Sequence, residues 1–348
     1  MATTRSWRIA SFNLFNLNEP GLPMYRNREG WSKAAYEAKL DWGAQLLRRL
    51  QADVVGLQEL WHRGSLERMV ERAGLQDAYE LLTPENATGQ RIVCAALVRK
   101  GWLRGQPSWV AQFPKALRLT SGGDDAQTPD IAVAIDGFSR PVLQFSVKPH
   151  PKAPAVRVYV CHFKSKAPTQ VASQAWFKSQ REVYAPHAGA LGAAISTIRR
   201  TAEATALRWM VTEATKGSTE PVVVLGDIND GQHSNTANIL TEQPTYLTGG
   251  RLGGRDTALY TAQTLQQYRD TRDVYYTHVH KGIRESLDHI LLSEAFYDHS
   301  KTRVWLFDGL QIVNDHLDMG EPKTDGSTDH GVICATLRYQ PMPAPRPA

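Results

Sequence analysis

The stretch Pro221–Gly231 has the sequence PVVVLGDINDG and is the most specific local pattern in the chain. Its apolar run Val222–Leu225 predicts a buried strand that ends at Gly226. Asp227 and Asn229 follow two positions apart, so their side chains point the same way if the backbone stays extended. Asp227 could then accept a proton from an attacking water while Asn229 donates to a phosphoryl oxygen. A turn-forming Asp–Asn pair is the alternative interpretation.

Other apolar runs rich in Val, Ile and aromatic residues predict further strands on both sides of this stretch. They are Arg8–Phe15, Asp53–Leu57, Ile92–Val98, Val142–Val147, Val156–His162, Leu287–Leu292 and Val332–Leu337. Helices are expected at Lys33–Leu50, Ser65–Arg72 and the Ala-rich Ala188–Thr215. Strands that are separated sometimes by helices and sometimes by Gly/Pro turns favour an α+β sandwich.

Three polar stretches without clear periodicity are long enough to be functional loops. They are Pro107–Asp130, Gln243–Thr264 and His316–Asp329. No linker divides the chain, so residues 1–339 are expected to form a single domain. The tail Gln340–Ala348 is expected to be disordered because it is proline-rich and has no apolar spacing.

The composition and net charge are those of a globular protein and do not indicate one particular function. The chain has 348 residues, 42% of them hydrophobic, and a formal net charge of +5, which permits a polyanionic partner without requiring one. The three cysteines lie inside apolar runs and are expected to be buried free thiols. No apolar run approaches the roughly 20 residues of a membrane span, and no signal-peptide core is present. We therefore expect no stable membrane insertion and a cytoplasmic location, or secretion if a signal peptide has been removed.

Polar residues stand at the ends of several predicted strands, which is where sites are built. Asn13 ends the first run, and Glu59 follows the second, where its carboxylate would suit a hard cation such as Mg²⁺. His162 ends the run VRVYVCH, and Lys164 and Lys166 come next. An imidazole beside two ammonium groups suits a negatively charged phosphoryl transition state better than a metal ion. A turn asparagine, a salt-bridged glutamate and a core-edge histidine are the alternatives.

The C-terminal part contains four Asp-His dipeptides, and their context separates them. Asp288 opens an apolar run, and Asp329–His330 leads directly into the last predicted strand. A histidine that an aspartate orients and makes more basic is a general base near neutral pH, and another carboxylate nearby can bind a metal. Asp288, Asp329 and His330 are therefore the candidates.

These motifs, in this order, resemble those of the endonuclease/exonuclease/phosphatase superfamily over about residues 8–338. The matching positions are Asn13, Gln58–Glu59, His162, Gly226–Asn229, Ser286–Asp288 and Ser327–His330. Pancreatic-type deoxyribonucleases, apurinic/apyrimidinic endonucleases, inositol-polyphosphate phosphatases and neutral sphingomyelinases share this pattern, and the chain looks most like bacterial nuclease-like members. Phe15 stands where apurinic/apyrimidinic endonucleases have a second acidic residue.

The resemblance implies a four-layered α/β sandwich, with two central mixed sheets flanked by helices. It implies one or two Mg²⁺ or Mn²⁺ ions near Asn13, Glu59 and Asp329. By the same resemblance Asp288 polarises His330, which deprotonates the attacking water or contacts the scissile phosphate. Asp227 and Asn229 place the water and the phosphate, and His162 stabilises the transition state or the leaving oxygen. Whether Asp227 or His330 is the base stays open.

Several basic residues are candidates for contacts with the substrate backbone, because guanidinium groups bind phosphate bidentately. Arg200 and Arg208 share a face of the long predicted helix, although a solvated helix face is the alternative. Arg91, at the start of a strand, is a third candidate, and Lys164 and Lys166 complete the set.

The leading functional hypothesis is a nuclease that acts on DNA by in-line attack of water. The family resemblance implies that its products have a 5′-phosphate and a 3′-hydroxyl. The alternative is a phosphatase or phospholipase C-type enzyme that acts on an inositol phosphate, a lipid headgroup or another small phosphate ester. A membrane-bound form would need an exposed apolar segment, for which Trp102 and Trp109 are the only candidates. The third hypothesis is a catalytically inactive binding module that retains the fold. DNA against RNA, endo- against exonuclease action and the oligomeric state stay open.

Overall fold

The computed structural model describes residues 6–25, 29–122, 129–242, 257–270, 276–318 and 325–343. Its first sheet contains β1 (Ser6–Leu17), β2 (Val54–His62), β3 (Tyr79–Leu82), β4 (Thr88–Arg99), β15 (Trp305–Val313) and β16 (Val332–Tyr339). Its second sheet contains β5 (Leu103–Gln112), β8 (Gly137–Val147), β9 (Val156–His162), β10 (Val222–Asp227), β11 (Leu259–Thr261) and β14 (Asp288–Ser293). The strand orders are β15-β16-β1-β2-β4-β3 and β11-β14-β10-β9-β8-β5. Both sheets are mixed, because β1–β2 and β9–β10 are parallel pairs among antiparallel ones.

Helices cover the outer face of each sheet. The first sheet packs against α1 (Lys33–Leu50) and α2 (Arg63–Arg72), and the second against α5 (Ala188–Thr215) and α6 (Asn235–Thr241). A separate apolar core fills the space between the sheets, with Trp7 and Val158 among its buried side chains. The four layers confirm the predicted fold class.

Smaller elements complete the described part of the chain. They are two hairpins, β6 (Thr120–Ser121) with β7 (Ile131–Ala132) and β12 (His278–His280) with β13 (Ile283–Glu285), and three short helices, α3 (Ala175–Ser179), α4 (Arg181–Tyr184) and α7 (Ala262–Arg269). Single turns of 3₁₀ helix lie at Ala185–His187, Glu294–Phe296 and Asp315–Asp318. No helix in the described ranges is long and apolar enough to cross a bilayer.

Two glycines, Gly56 and Gly226, lie where a side chain would clash with a neighbouring strand. An ideal Cβ on Gly56 of β2 would lie 2.0 Å from Leu225 Cδ1 of β10, so the strands approach closely only because position 56 has no side chain. Gly226 has φ +140° and an added Cβ there would lie 1.9 Å from the Cys161 carbonyl oxygen. The glycine before Asp227 is therefore a steric requirement of the β9–β10 pair.

The parallel strand pairs explain why distant residues meet. In the first sheet the C-terminal ends of β1 and β2 bring Asn13 opposite Gln58, one residue before Glu59. In the second sheet the ends of β9 and β10 pair His162 with Asp227. Antiparallel β14 begins at the same edge, where Asp288 pairs with Asp227, and β16 begins just after His330. Polar strand ends from both sheets thus collect at one edge of the sandwich.

Some predicted loops are regular structure. The stretch Pro107–Asp130 was expected to be a loop, but its first part belongs to β5, which pairs with β8 along a continuous register. Trp102 and Trp109 pack against the core between the sheets, and Trp109 Nε1 donates to the Cys94 carbonyl at 2.8 Å. The idea that these tryptophans form a membrane-binding segment is therefore wrong.

The other two predicted loops and the tail are only partly described. Residues 243–256, 319–324 and 344–348 lie outside the described residues. The end of Gln243–Thr264 forms β11 and the first turn of α7, so this part of the expectation is corrected. The prediction of free buried cysteines is confirmed for Cys94, Cys161 and Cys334.

Candidate active site

Asp227 lies at the centre of a buried polar cluster. Asn229, whose backbone is left-handed at φ 55°, donates its N–H to Asp227 Oδ1 at 2.8 Å and its Nδ2 to Oδ2 at 3.0 Å. Asn13 Nδ2 lies 3.4 Å from Oδ2. His162 Nε2 and His330 Nε2 lie 3.5 Å and 3.9 Å from the same oxygen. One carboxylate thus faces two imidazoles and is held by two amides.

His330 and Asp288 form a buried pair beside Asp227. His330 Nδ1 donates to Asp288 Oδ2 at 2.8 Å, and Asp288 is fully buried. The backbone N–H of Asp288 donates to Thr277 Oγ1 at 3.1 Å, and that of His330 donates to Thr328 Oγ1 at 3.2 Å. Both partners are therefore fixed, and His330 Nε2 points toward Asp227.

Glu59 reaches the cluster from an irregular point of β2. Its backbone is left-handed at φ 58°, and the β2–β4 register shifts between Leu57 and Leu60. This shift turns the side chain inward, where Oε2 accepts from the Asn16 N–H at 2.9 Å and Oε1 lies 3.9 Å from His162 Nε2. Backbone strain of this kind is common at functional sites.

Burial and neighbouring charges shift the pKa values of this cluster in opposite directions. Burial, with the nearby charges of Asp288 and Glu59, raises the pKa of Asp227 to about 7. Burial and Asp329 raise the pKa of Glu59. Burial alone would lower the pKa of His330, but the Asp288 and Asp227 carboxylates outweigh it and raise that pKa well above 6.5. The two carboxylates therefore favour the charged form of His330, while burial favours the neutral form of Asp227.

His162 is the neutral imidazole of the site. Burial, together with the positive charges of Arg140 and His330, lowers its pKa well below 6.5. It therefore offers a hydrogen-bond donor or acceptor without a charge.

The carboxylates suit a divalent cation. In the described part of the chain, no lysine or arginine forms an ion pair with Glu59, Asp227 or Asp288, and their only ionic partners are histidines. Buried carboxylates that no lysine or arginine neutralises provide the hard oxygen ligands that Mg²⁺ or Mn²⁺ prefers. Glu59 and Asp329, the ligands that the family resemblance implies, interact electrostatically, since Asp329 raises the pKa of Glu59. Among the described residues, ligand atoms of Asp227, Asp288 and His330 also lie within 4.8 Å of one another. Such an ion would polarise a phosphoryl oxygen.

Two amide side chains that were predicted to contact metal or phosphate also form hydrogen bonds within the cluster. Asn13 was predicted to bind metal, but its Oδ1 accepts from the Phe15 N–H at 2.9 Å and its Nδ2 faces Asp227. Asn229 was predicted to contact phosphate, but its Nδ2 donates to both Asp227 Oδ2 and the Phe163 carbonyl, each at 3.0 Å. Both amides use their donors to hold Asp227 in place, and their contacts with a metal ion and a phosphate stay predictions.

Comparison with known protein families matches residues 44–330 to the Endonuclease/Exonuclease/phosphatase family. The chain belongs to this family. Family membership makes it a phosphoric ester hydrolase at the level of reaction class. The curated proteins compared with the sequence include no significant match.

Solved structures from the same family share the fold across nearly the whole chain. A Bacteroides vulgatus endonuclease/exonuclease/phosphatase is 16% identical and has a TM-score of 0.53, with 96% of this chain and 99% of that chain covered. Humanized Danio rerio TDP2 is 15% identical with a TM-score of 0.55 and coverage of 97% and 100%. The human nocturnin catalytic domain is 12% identical with a TM-score of 0.55 and coverage of 97% for both chains. At such identities the likeness extends to the fold and not to the substrate.

The two helix arginines predicted to bind phosphate are buried structural residues in this family member. Arg208 is 6% exposed, and its guanidinium donates to the carbonyls of Leu240, Thr241 and Thr257. Arg200 is 4% exposed; its Nε lies 3.3 Å from Asp230 Oδ2 and its Nη1 donates to the Lys164 carbonyl. Neither can reach a substrate, so both predictions, and the alternative of a solvated face, are wrong.

The two lysines predicted to bind phosphate contact other protein groups through their ammonium groups. Lys164 Nζ donates to the carbonyls of Ser165 and Ala167, at 3.3 Å and 3.0 Å. Lys166 Nζ pairs with Glu285 at 2.7 Å and lies 3.5 Å from Asp230 Oδ1. Because their ammonium groups already have protein partners, phosphate binding by either lysine would first require those contacts to break.

Arg140 is the site residue that sequence reasoning missed. It lies near the start of β8, donates to the Phe163 carbonyl at 3.0 Å, and acts electrostatically on Glu59 and His162. The available signal was its place two residues before the predicted strand Val142–Val147, a strand end like those that gave the other candidates.

Proposed function

We propose that this family member is a divalent-metal-dependent nuclease that hydrolyses phosphodiester bonds, with DNA as the favoured substrate. The observation that supports this most is a groove of about 1050 Å³ that is lined in part by Arg140, the arginine that acts electrostatically on Glu59 and His162. Arg91, Arg140 and Arg199 line it together with aromatic residues that include Trp61 and Phe138. Pockets for small ligands have volumes of about 300–1000 Å³, so this groove is large enough for at least one nucleotide of a substrate.

The charge of the groove supports a polyanionic substrate. Within the described ranges, no carboxylate forms an ion pair with Arg91, Arg140 or Arg199. Guanidinium groups that lack acidic partners are available for phosphate oxygens. Arg140 lies nearest the reaction centre, since it acts on Glu59 and His162. Apolar and aromatic walls between cationic groups are typical of sites for single-stranded nucleic acid.

The same geometry supports a division of roles in the hydrolysis. Asp227 accepts a proton from the attacking water, because its carboxylate is fixed by Asn229 and has a pKa of about 7. His330, charged by its pairing with Asp288, donates from Nε2 to a non-bridging phosphoryl oxygen. Neutral His162 donates a hydrogen bond to the leaving oxygen. The metal ion expected beside Glu59 and Asp329 would supply Lewis-acid polarisation of the phosphate.

The groove can be tested through the salt dependence of binding. Each phosphate contact contributes about 0.7–0.9 to the slope of log K against log salt concentration. Replacing Arg140 or Arg199 by glutamine is expected to weaken binding of a fluorescent DNA oligonucleotide and reduce that slope by about one. Fluorescence anisotropy without Mg²⁺ measures binding alone.

The control is Arg338→Gln. Arg338 pairs with Ser6 at the opposite end of β1 from the site, so its loss should leave the slope unchanged. Binding that does not depend on salt, or an equal effect of all three substitutions, would contradict a phosphate-binding groove and favour a small phosphate ester as the substrate.

A further inference from the structure

A second group of metal-binding side chains lies beside the proposed reaction centre. One ligand atom from each of His278, Asp329 and His330 lies within 4.8 Å of the other two. The rings of His278 and His330 are 5.2 Å apart between centroids. His278 has no place in the hydrolysis described above, and it is partly buried.

The backbone holds His278 firmly against this group. His278 begins the hairpin β12–β13, and the residue before it, Thr277, connects the hairpin to both neighbouring strands. Thr277 Oγ1 accepts from the N–H of Leu287 at 2.9 Å and of Asp288 at 3.1 Å. The Thr277 carbonyl accepts from the Gly331 N–H at 2.6 Å. The imidazole is therefore carried by a fixed strand rather than by a free loop.

The orientation of His330 fits that of a metal-ligating histidine. Its Nδ1 donates to Asp288 Oδ2 at 2.8 Å, which leaves Nε2, 3.9 Å from Asp227 Oδ2, as the ring nitrogen available to an ion. Histidines that bind metals usually donate their other ring N–H to a carboxylate, and this bond fixes the ring and strengthens the ligand.

We infer that His278, Asp329 and His330 form a second cation site, one that selects ions with an affinity for imidazole, such as Zn²⁺. Two imidazoles and one carboxylate suit Zn²⁺ and similar transition-metal ions, whereas Mg²⁺ prefers oxygen ligands alone. The site differs from the one expected at Glu59 in its two imidazoles, and Asp329 is common to both. Zn²⁺ here would occupy His330 Nε2 and so oppose the role of His330 toward the phosphate.

Equilibrium dialysis with Zn²⁺, in the absence of substrate, tests this inference without depending on nuclease activity. The wild-type protein is expected to bind Zn²⁺ at this site, and His278→Ala to weaken this binding by at least about tenfold. Co²⁺, used as a second probe, should give visible absorption of an imidazole-ligated ion that His278→Ala removes. Glu59→Gln should retain Zn²⁺ binding, because Glu59 belongs to the other site.

His280→Ala is the matched control. His280 lies on the same hairpin with its ring centroid 6.3 Å from that of His278, but it is exposed and outside the ligand group. Its substitution should leave Zn²⁺ binding and the Co²⁺ spectrum unchanged. Failure of the wild-type protein to bind Zn²⁺, or equal binding by His278→Ala and His280→Ala, would overturn the inference. Circular dichroism of each variant separates loss of a ligand from loss of the fold.

Discussion

Substitution of Asp227 by asparagine is expected to lower kcat for DNA cleavage by about 10²- to 10⁴-fold, which is the usual contribution of a general base. Asparagine is nearly the same size, and its amide oxygen can still accept the hydrogen bond from the Asn229 N–H, but it cannot take a proton from water. The loss should therefore be in kcat, with little change in DNA binding.

The pH dependence of the wild-type rate gives a second test of the same role. The pKa of Asp227 is raised to about 7, and only its deprotonated form accepts a proton. The rate should therefore fall as pH decreases through about 7 and level off above it, and Asp227→Asn should lose this step. Measurement of kcat between pH 5 and 9 at saturating Mg²⁺ gives both profiles.

Asp230→Asn is the control for Asp227→Asn. Asp230 lies in the same loop, but it accepts from Thr236 Oγ1 at 2.7 Å and pairs with Arg200 outside the cluster. An equal loss of kcat in Asp230→Asn, or an Asp227→Asn protein that keeps the wild-type pH profile, would contradict the role of Asp227 as the base.

His330→Ala and Asp288→Asn are expected each to lower kcat by about 10²-fold or more, and together by little more than the larger single loss. The reason is that Asp288 acts through His330, to which it is bound at 2.8 Å in a buried pair. Residues that act as one unit show strongly non-additive effects. A double-mutant cycle on kcat measures this coupling.

The exposed Asp298–His299 pair provides the control for this cycle. His299 Nε2 lies 3.9 Å from Asp298 Oδ1, but both residues are outside the cluster, so His299→Ala should leave kcat unchanged. Additive losses from His330→Ala and Asp288→Asn would show that the two residues act independently and would contradict the pairing.

Much of the fold could be predicted from local patterns. The predicted strands agree with eight observed ones because buried strands are continuous apolar runs, such as Val222–Leu225 in β10. In the two large sheets, the strands β3, β5, β11 and β15 were missed, as were the short strands of the two hairpins. β5 has the sequence LRGQPSWVAQ and is largely exposed on a sheet edge, where packing does not impose an apolar pattern.

The chemistry of the candidate site was also partly readable, because it uses polar residues at strand ends. The differences between prediction and structure concern the direction in which individual side-chain donors point. Arg200 and Arg208 were interpreted as surface cations. A sequence does not show that backbone carbonyls of α6 and nearby loops accept hydrogen bonds from Arg208. Similarly, the donors of Asn229 are used within the protein, and this depends on the left-handed turn after Asp227. Groups brought together by tertiary structure, such as His278 with His330, have no local signal.

The most direct test of a metal-dependent nuclease is cleavage of plasmid, linear and single-stranded DNA with Mg²⁺, Mn²⁺ or EDTA, by the wild-type protein and by Glu59→Gln. Glu59→Gln keeps the size of the side chain but removes the carboxylate expected to bind the ion. We predict cleavage with Mg²⁺ or Mn²⁺, none with EDTA, and a loss of at least about 10²-fold in Glu59→Gln. Cleavage that persists in EDTA or in Glu59→Gln would contradict the metal dependence, and no cleavage of any DNA by the wild-type protein would contradict the nuclease.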